Sequence, residues 1–237
     1  MKMQIQFGTR TIPFEVIYRK RKTLEIGVEP PERVTVVAPA DTPKDVILQK
    51  VRSRAAWIVQ KLFLFQRMEY QPIKREFVNG ESFLYLGRNY SLQLIVDPNI
   101  KKPEVKLYQG KFYVTTPDRN EQRIRRAMEQ WYRSKTLEKV MERISYYQRY
   151  FDRKPAAVRV KEQQKRWASC TTRNELLFNW RCVMAPSPVL DYIVVHEMCH
   201  MYHKNHSRDF WELLASILPD YEDRKEWLKN YGVRMDM

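Results

Sequence analysis

All four histidines of this 237-residue chain fall between positions 196 and 206, in the segment VVHEMCHMYHKNHSRDFW. His196 and His200 are four residues apart, and Glu197 follows the first of them. On an α-helix four residues advance roughly 400°, so both imidazoles leave one face a turn apart and can grip a single ion. Imidazole suits Zn2+, which takes three protein ligands in a catalytic site and leaves its fourth position to water. Glu197 is then placed to take a proton from that water, the division of labour of an HExxH metallohydrolase. Histidine is scarce enough that a chance HExxH in a chain this size is roughly a one-in-a-hundred event or rarer. The competing reading is a surface helix whose histidines pair with nothing; the helix start signalled just upstream weighs against it.

Four residues compete for the third ligand position. His203 lies about 10 Å along the helix axis from His196, and helical side chains lean toward the N-terminus, so it would serve a shared ion poorly. His206 follows Lys204-Asn205, where the helix ends and the chain can fold back; it is the favoured candidate. Asp209 and Glu212 remain acidic alternatives, since a carboxylate can complete such a site. Arg181 and Tyr202 could stabilise an oxyanion, but nothing in the sequence singles either out, and packing and solvation explain both better.

The positioning helix is expected within SPVLDYIVVHEMCHMYHK, with Ser187 as N-cap and Pro188 at the first helical position. Tyr192, Val195 and Cys199 should face the core and Glu197 the cleft. Upstream, Ile124, Met128 and Trp131, then Leu137, Val140, Met141, Ile144, Tyr147 and Phe151, mark a long amphipathic helix that slips phase near Ser134 and ends before Pro155. VRVKEQQKRWASC and ELLFNWRCVMA read as two strands joined by a turn at Thr172-Arg173-Asn174, and a last helix spans about Ser207 to Leu218. The first forty residues alternate as short strands in an antiparallel sheet, broken at GTR, RKRK and PPE. A helix capped by Thr42 follows, from Pro43 to about Met68. After Pro72 come two hairpins, turning at Arg88-Asn89 and Gln109-Gly110. The fold class is α+β: an N-terminal sheet-and-helix region, 1–118, and a C-terminal zincin-like core, 119–237, with active-site helix, supporting helix and small sheet. No internal repeat and no low-complexity segment stands out.

Hydrophobic residues form 43% of the chain and charged residues 30%, a globular balance. No apolar run approaches the roughly 18–20 residues that span a bilayer, and the N-terminus lacks the apolar stretch of a signal peptide, so a cytoplasmic address is expected. Cys170, Cys182 and Cys199 form no CxxC pair and are odd in number, against a disulfide framework or thiolate zinc site. The net charge of +15 favours anionic partners, nucleic acid among them, although the basic residues are scattered rather than gathered in one tail.

The chain resembles the YgjP-like metallopeptidase family, itself similar to the SprT-like and other small zincins. RWASC at 166–170, LLFNWRCVMAP at 176–186, VLDYIVVHEMCH at 189–200 and NHSRDFW at 205–211 carry the resemblance. Upstream, RKTLEIGVEPPERVTVVAPADTP, AAWIVQKL and GESFLYLGRNYSL match that family's N-terminal region in character. Ala168 departs from the family's usual glycine, which matters only if the position needs φ > 0 or close backbone approach. The resemblance implies a zinc held by His196, His200 and His206, with Glu197 as catalytic base. It implies peptide hydrolysis first. It also allows a UTP pyrophosphatase, which the arginines near the motif (Arg166, Arg173, Arg181, Arg208) would suit although no GxxxxGK phosphate loop is present. A third class is a DNA-associated binding module with a structural metal; three good ligands plus a base favour an open, catalytic site over that.

Overall fold

A computed structural model describes residues 1–29, 32–67, 75–163 and 166–237. The expected break at Pro30-Pro31, the helix end at Met68 and the strand restart after Pro72 lie outside those residues. The chain divides into two compact units, Met1–Pro72 and Ile73–Met237. The expected boundary at 118/119 therefore falls inside the second unit.

The first unit holds β1 (Lys2–Phe7), β2 (Arg10–Arg19), β3 (Glu25–Glu29), β4 (Arg33–Pro39), α1 (Lys44–Ser53) and α2 (Ala55–Arg67). β1 pairs antiparallel with β2 and β3 with β4, and the two pairs join through β2 and β4, which run parallel, giving the order β1-β2-β4-β3. The sheet is thus mixed rather than antiparallel. Ile47, Val51, Ala55 and Ile58 cover it, as their spacing predicted, although the helix starts at Lys44 without a Thr42 cap and is interrupted at Arg54.

The second unit opens with β5 (Ser82–Tyr85), β6 (Arg88–Val96), β7 (Glu104–Tyr108) and β8 (Lys111–Thr116) in the order β5-β6-β8-β7, again with its two central strands parallel. The two sheets are copies of one design. Arg10 opens β2, and Arg88, 78 positions on, opens β6; Pro39 and Pro117 stand in the same relation. The parallel registers agree, with Glu15 opposite Thr35 and Gln93 opposite Tyr113, each partner twenty positions on. This repeat is one of topology and register, carried by hydrophobic alternation that many unrelated sequences satisfy, which is why it is invisible to inspection of the letters.

After the second sheet comes α3 (Glu121–Tyr147), capped by Asn120, whose side chain accepts from the Arg123 N–H at 3.0 Å. It is continuous, with no phase slip. Its buried stripe runs Ile124, Met128, Tyr132, Thr136, Val140, Ile144, Tyr147, while Leu137 and Met141 are exposed. The hydroxyls let polar residues hold the stripe: Tyr132 donates to the Leu84 carbonyl at 2.7 Å and Thr136 to that of Trp180 at 2.6 Å.

A small sheet follows, β10-β11-β9, made of β9 (Ala157–Lys161), β10 (Ala168–Cys170) and β11 (Glu175–Asn179). The expected single strand from Val158 to Cys170 is two strands on opposite sides of β11, one parallel and one antiparallel to it; Gln164-Lys165 lie outside the described residues. Trp180–Met184 is a 3-10 turn rather than strand. Then come α4 (Ser187–Cys199), α5 (Arg208–Ile217) and an unanticipated α6 (Tyr221–Tyr231). Among the described residues no helix is long and apolar enough to cross a membrane.

One hairpin turn reaches the approach to α4. The turn between β5 and β6 is at Leu86-Gly87, with φ of 47° and 76°, two residues before the expected Arg88-Asn89. Its N–H groups donate to Val183 and Met184 carbonyls at 2.8 and 3.1 Å. A Cβ on Gly87 would meet Pro186 Cγ at 2.8 Å, so only glycine permits this approach.

Candidate metal centre

Helix α4 is apolar on nearly every side, with Val189, Leu190, Ile193, Val194, Val195, Met198 and Cys199 all buried, so it runs through the core rather than along the surface. It begins one residue earlier than expected: Pro186 is the N-cap, its carbonyl accepting from the Val189 and Leu190 N–H groups, and Ser187 makes no side-chain cap. Asp191 ties it to α3, accepting two hydrogen bonds from Arg143, at 2.5 and 3.0 Å, and one from the Tyr147 hydroxyl at 3.0 Å. Past Cys199 the chain turns out of the helix. Arg153 caps the Met201 carbonyl at 2.6 Å, and Lys204 donates to the Thr171 carbonyl and Asn174 Oδ1, anchoring the loop to the β10–β11 turn.

That loop returns His206 to the helix. The rings of His196, His200 and His206 lie 4.7 to 4.9 Å apart, and one nitrogen from each lies within 4.8 Å of the others. His196 Nε2 and His206 Nε2 approach to 3.0 Å. His200 Nδ1 is 2.9 Å from the His203 carbonyl. A carbonyl only accepts, so Nδ1 carries the hydrogen and Nε2 is left with its lone pair directed away, as a metal ligand requires. His203 thus takes part through its backbone, and its own ring stays out of the cluster. Asp209 and Glu212 are not in the cluster either: both are exposed, and Glu212 pairs with Arg208 at 2.6 Å.

Sequence reading missed the floor of the site. Phe210 is fully buried, and its ring centroid lies 4.6 to 4.9 Å from all three imidazoles. Trp211 stacks on His206 at 5.4 Å and on Tyr221 at the same distance, with Lys225 Nζ 4.3 Å above its ring. The NHSRDFW segment held this information, because Ser207 caps α5 and so turns Phe210 inward, but aromatic residues are packed so often that the letters alone do not single it out.

The electrostatics follow from burial. Desolvation, helped by His200, His206 and Lys225, lowers the His196 pKa from its ordinary 6.5 to about 3, and its buried Nδ1 has no partner. Burial also lowers His200 and His206, against the His203 carbonyl in the first case and with His200 and Lys225 in the second. All three rings are therefore held neutral, the form that binds metals. Glu197 is 6% exposed; desolvation raises its pKa to about 8 despite Arg166 and a hydrogen bond from the Cys170 backbone N–H, and its Oε2 is buried without a partner. Converging neutral imidazoles beside an unpartnered buried carboxyl oxygen fit a metal ion and a water molecule.

The other expected residues are elsewhere engaged. Arg181 pairs with Asp236 and Glu162 and lies over Trp180, and the Tyr202 hydroxyl accepts from the Arg153 N–H. Tyr192, Val195 and Cys199 are buried, as expected, and Tyr192 flanks His196 with centroids 5.5 Å apart. Ala168 sits in regular β10 opposite Phe178 and needs no positive φ, so the departure from glycine is accommodated.

No curated protein matches the chain. The YgjP-like metallopeptidase domain matches residues 22–231, taking in the histidine cluster, the second sheet and the first sheet from β3 onward. The chain belongs to the YgjP-like metallopeptidase-domain family.

Proposed function

We propose that the chain hydrolyses peptide bonds with a zinc ion held by His196, His200 and His206 and with Glu197 as general base. Membership of a metallopeptidase family implies a metal ion, and three imidazole donors with no thiolate suit zinc. The observation that carries the reading is the convergence of three neutral imidazoles beside the buried, unpartnered Oε2 of Glu197. Zinc bound there supplies Lewis-acid polarisation of the scissile carbonyl and acidifies water. Glu197 takes the proton of the attacking water at Oε2 and hands it to the leaving amine. With an ion held by the three imidazoles, Glu197 would stand as the carboxylate, its basic form, near neutral pH. Strand β10 is an edge of its sheet and packs on α4, so an extended substrate can add to it by main-chain hydrogen bonds.

A second reading, phosphoanhydride hydrolysis of a nucleotide such as UTP, rests on a cleft of about 530 Å³ lined by Trp211, Tyr221 and Lys225 together with Arg208, Glu212 and Glu222, Arg208 being paired with Glu212. The aromatic wall suits a base and Lys225 a phosphate, although the two carboxylates oppose the second. Zinc-loaded wild type and Glu197→Gln decide between them, assayed on unfolded protein, short peptides and UTP. Peptide turnover lost in Glu197→Gln while zinc stays bound supports the first reading. Pyrophosphate release with the same dependence replaces it by the second, and turnover surviving the substitution sinks both.

A further inference from the structure

The repeated ββ∥ββα design gives each unit its own groove, between the edge strand of the sheet and the helix that follows. In the first unit the groove, of about 780 Å³, is lined by Leu24 and Ile26 from the β3 side and by Lys50, Arg54 and Trp57 from the helices. In the second unit it measures about 590 Å³ and is lined by Pro103 and Val105 from the β7 side, with Lys102, Arg126 and Trp131 around it. The correspondence is positional. Glu25 opens β3 opposite Val37 and Glu104 opens β7 opposite Thr115, so Leu24 and Ile26 occupy the places of Pro103 and Val105. Two grooves that recur at matching places in a repeat point to one kind of occupant.

Their chemistry agrees. No Asp or Glu lines either groove, in a chain that carries 28 of them. Lys50, Arg54, Lys102 and Arg126 are exposed and, among the described residues, form no ion pair; Arg123, the remaining cation, is paired with Asp118 at 2.7 Å. Lys50 from α1, Arg54 at the break between the helices and Trp57 from α2 bring two cations and an indole to one groove. Trp57 is 37% exposed, an unusual amount for so apolar a ring, and Trp131, half-buried against Tyr85, Phe112 and Tyr132, lines the second groove. A row of unpaired cations beside an aromatic platform matches a strand with a repeating phosphate charge and bases that stack.

We propose that the two grooves, alike in position but built from different residues of the repeat, are two sites of one kind for single-stranded nucleic acid, phosphates resting on Lys50 and Arg54 in the first and on Lys102 and Arg126 in the second, with a base against Trp57 or Trp131. This surface is independent of the metal centre. The test is titration of the full zinc-loaded chain with an oligothymidylate of about six nucleotides, short enough to fill a single site. Two oligomers bind per chain; Lys50→Gln/Arg54→Gln and Lys102→Gln/Arg126→Gln each remove one, and the fourfold variant binds none. In the Lys102→Gln/Arg126→Gln background, Trp57→Ala weakens the remaining site roughly 5- to 150-fold, the worth of one stacked base. Stoichiometry unchanged by the substitutions overturns the proposal. So does a silent Trp57→Ala with inorganic polyphosphate binding equally well, which would leave only an unspecific anion surface.

Discussion

Burial of His196 makes a quantitative prediction about metal affinity and pH. Zinc competes with protons for imidazole nitrogens, so the fall in affinity on acidification counts the rings that must first lose a proton. Three histidines at the ordinary pKa of 6.5 would together lose about 500-fold between pH 6 and pH 5, roughly 8-fold each. His196, with its pKa at about 3, is already neutral across that interval and contributes a factor of about one. His200 and His206 are also shifted down, so their joint factor stays below roughly 60-fold. The measurement is a zinc competition titration against a chromophoric chelator at both pH values. Glu197→Gln is the protein to use, so that the carboxyl's own proton does not enter the count. An affinity loss of several hundred-fold would refute the claim that the buried imidazole is kept neutral by its surroundings.

Four further outcomes are expected. Glu197 has a folded-state pKa raised above its ordinary 4.5, so its contribution to stability is intact below that pH and is lost as pH rises through about 8. Metal-free Glu197→Gln should therefore resist urea better than wild type at pH 8.5, by about 1–3 kcal/mol, with the gain vanishing at pH 4.5. Asp191→Ala strands Arg143 and the Tyr147 hydroxyl; because Arg143 is partly solvated, thermal or urea unfolding should show a loss of about 1–3 kcal/mol rather than the full penalty of a buried charge. Gly87→Ala combines φ of 76° with the clash against Pro186 and should cost about 1–3 kcal/mol in the same assay, a change under a few tenths refuting the close approach. His206→Ala should lower zinc affinity by more than the roughly 10- to 100-fold that supporting contacts are worth, while Asp209→Asn and Glu212→Gln leave it unaltered by isothermal titration.

The centre was legible because its chemistry is local: a four-residue spacing on a helix brings His196, Glu197 and His200 together whatever the rest of the chain does. His206 follows the helix end that Lys204-Asn205 suggest, but its preference over Asp209 and Glu212 rests heavily on the family resemblance. What could not be read was long-range. Tyr132 and Thr136 displace Leu137 and Met141 from the buried face of α3 because distant carbonyls, of Leu84 and Trp180, satisfy their hydroxyls. Likewise β9 and β10 pair with opposite sides of β11, a choice made by tertiary contacts that no alternation of letters encodes. The parallel joins β2–β4 and β6–β8 escaped for a related reason: short connections announce hairpins but are silent on how one hairpin meets the next.

The position of Phe210 has a kinetic consequence. One rigid ring rests against all three imidazoles and holds them in place by packing, while the His203 carbonyl orients one of them. Ordinary apolar contact thus helps to hold the three imidazoles in their arrangement. In small zinc-dependent folds, by contrast, the metal gathers loose ligands and chelation unravels the chain. If the three imidazoles hold zinc as proposed, metal exchange should proceed at the rate of ligand dissociation, with the fold intact and uncoupled from unfolding.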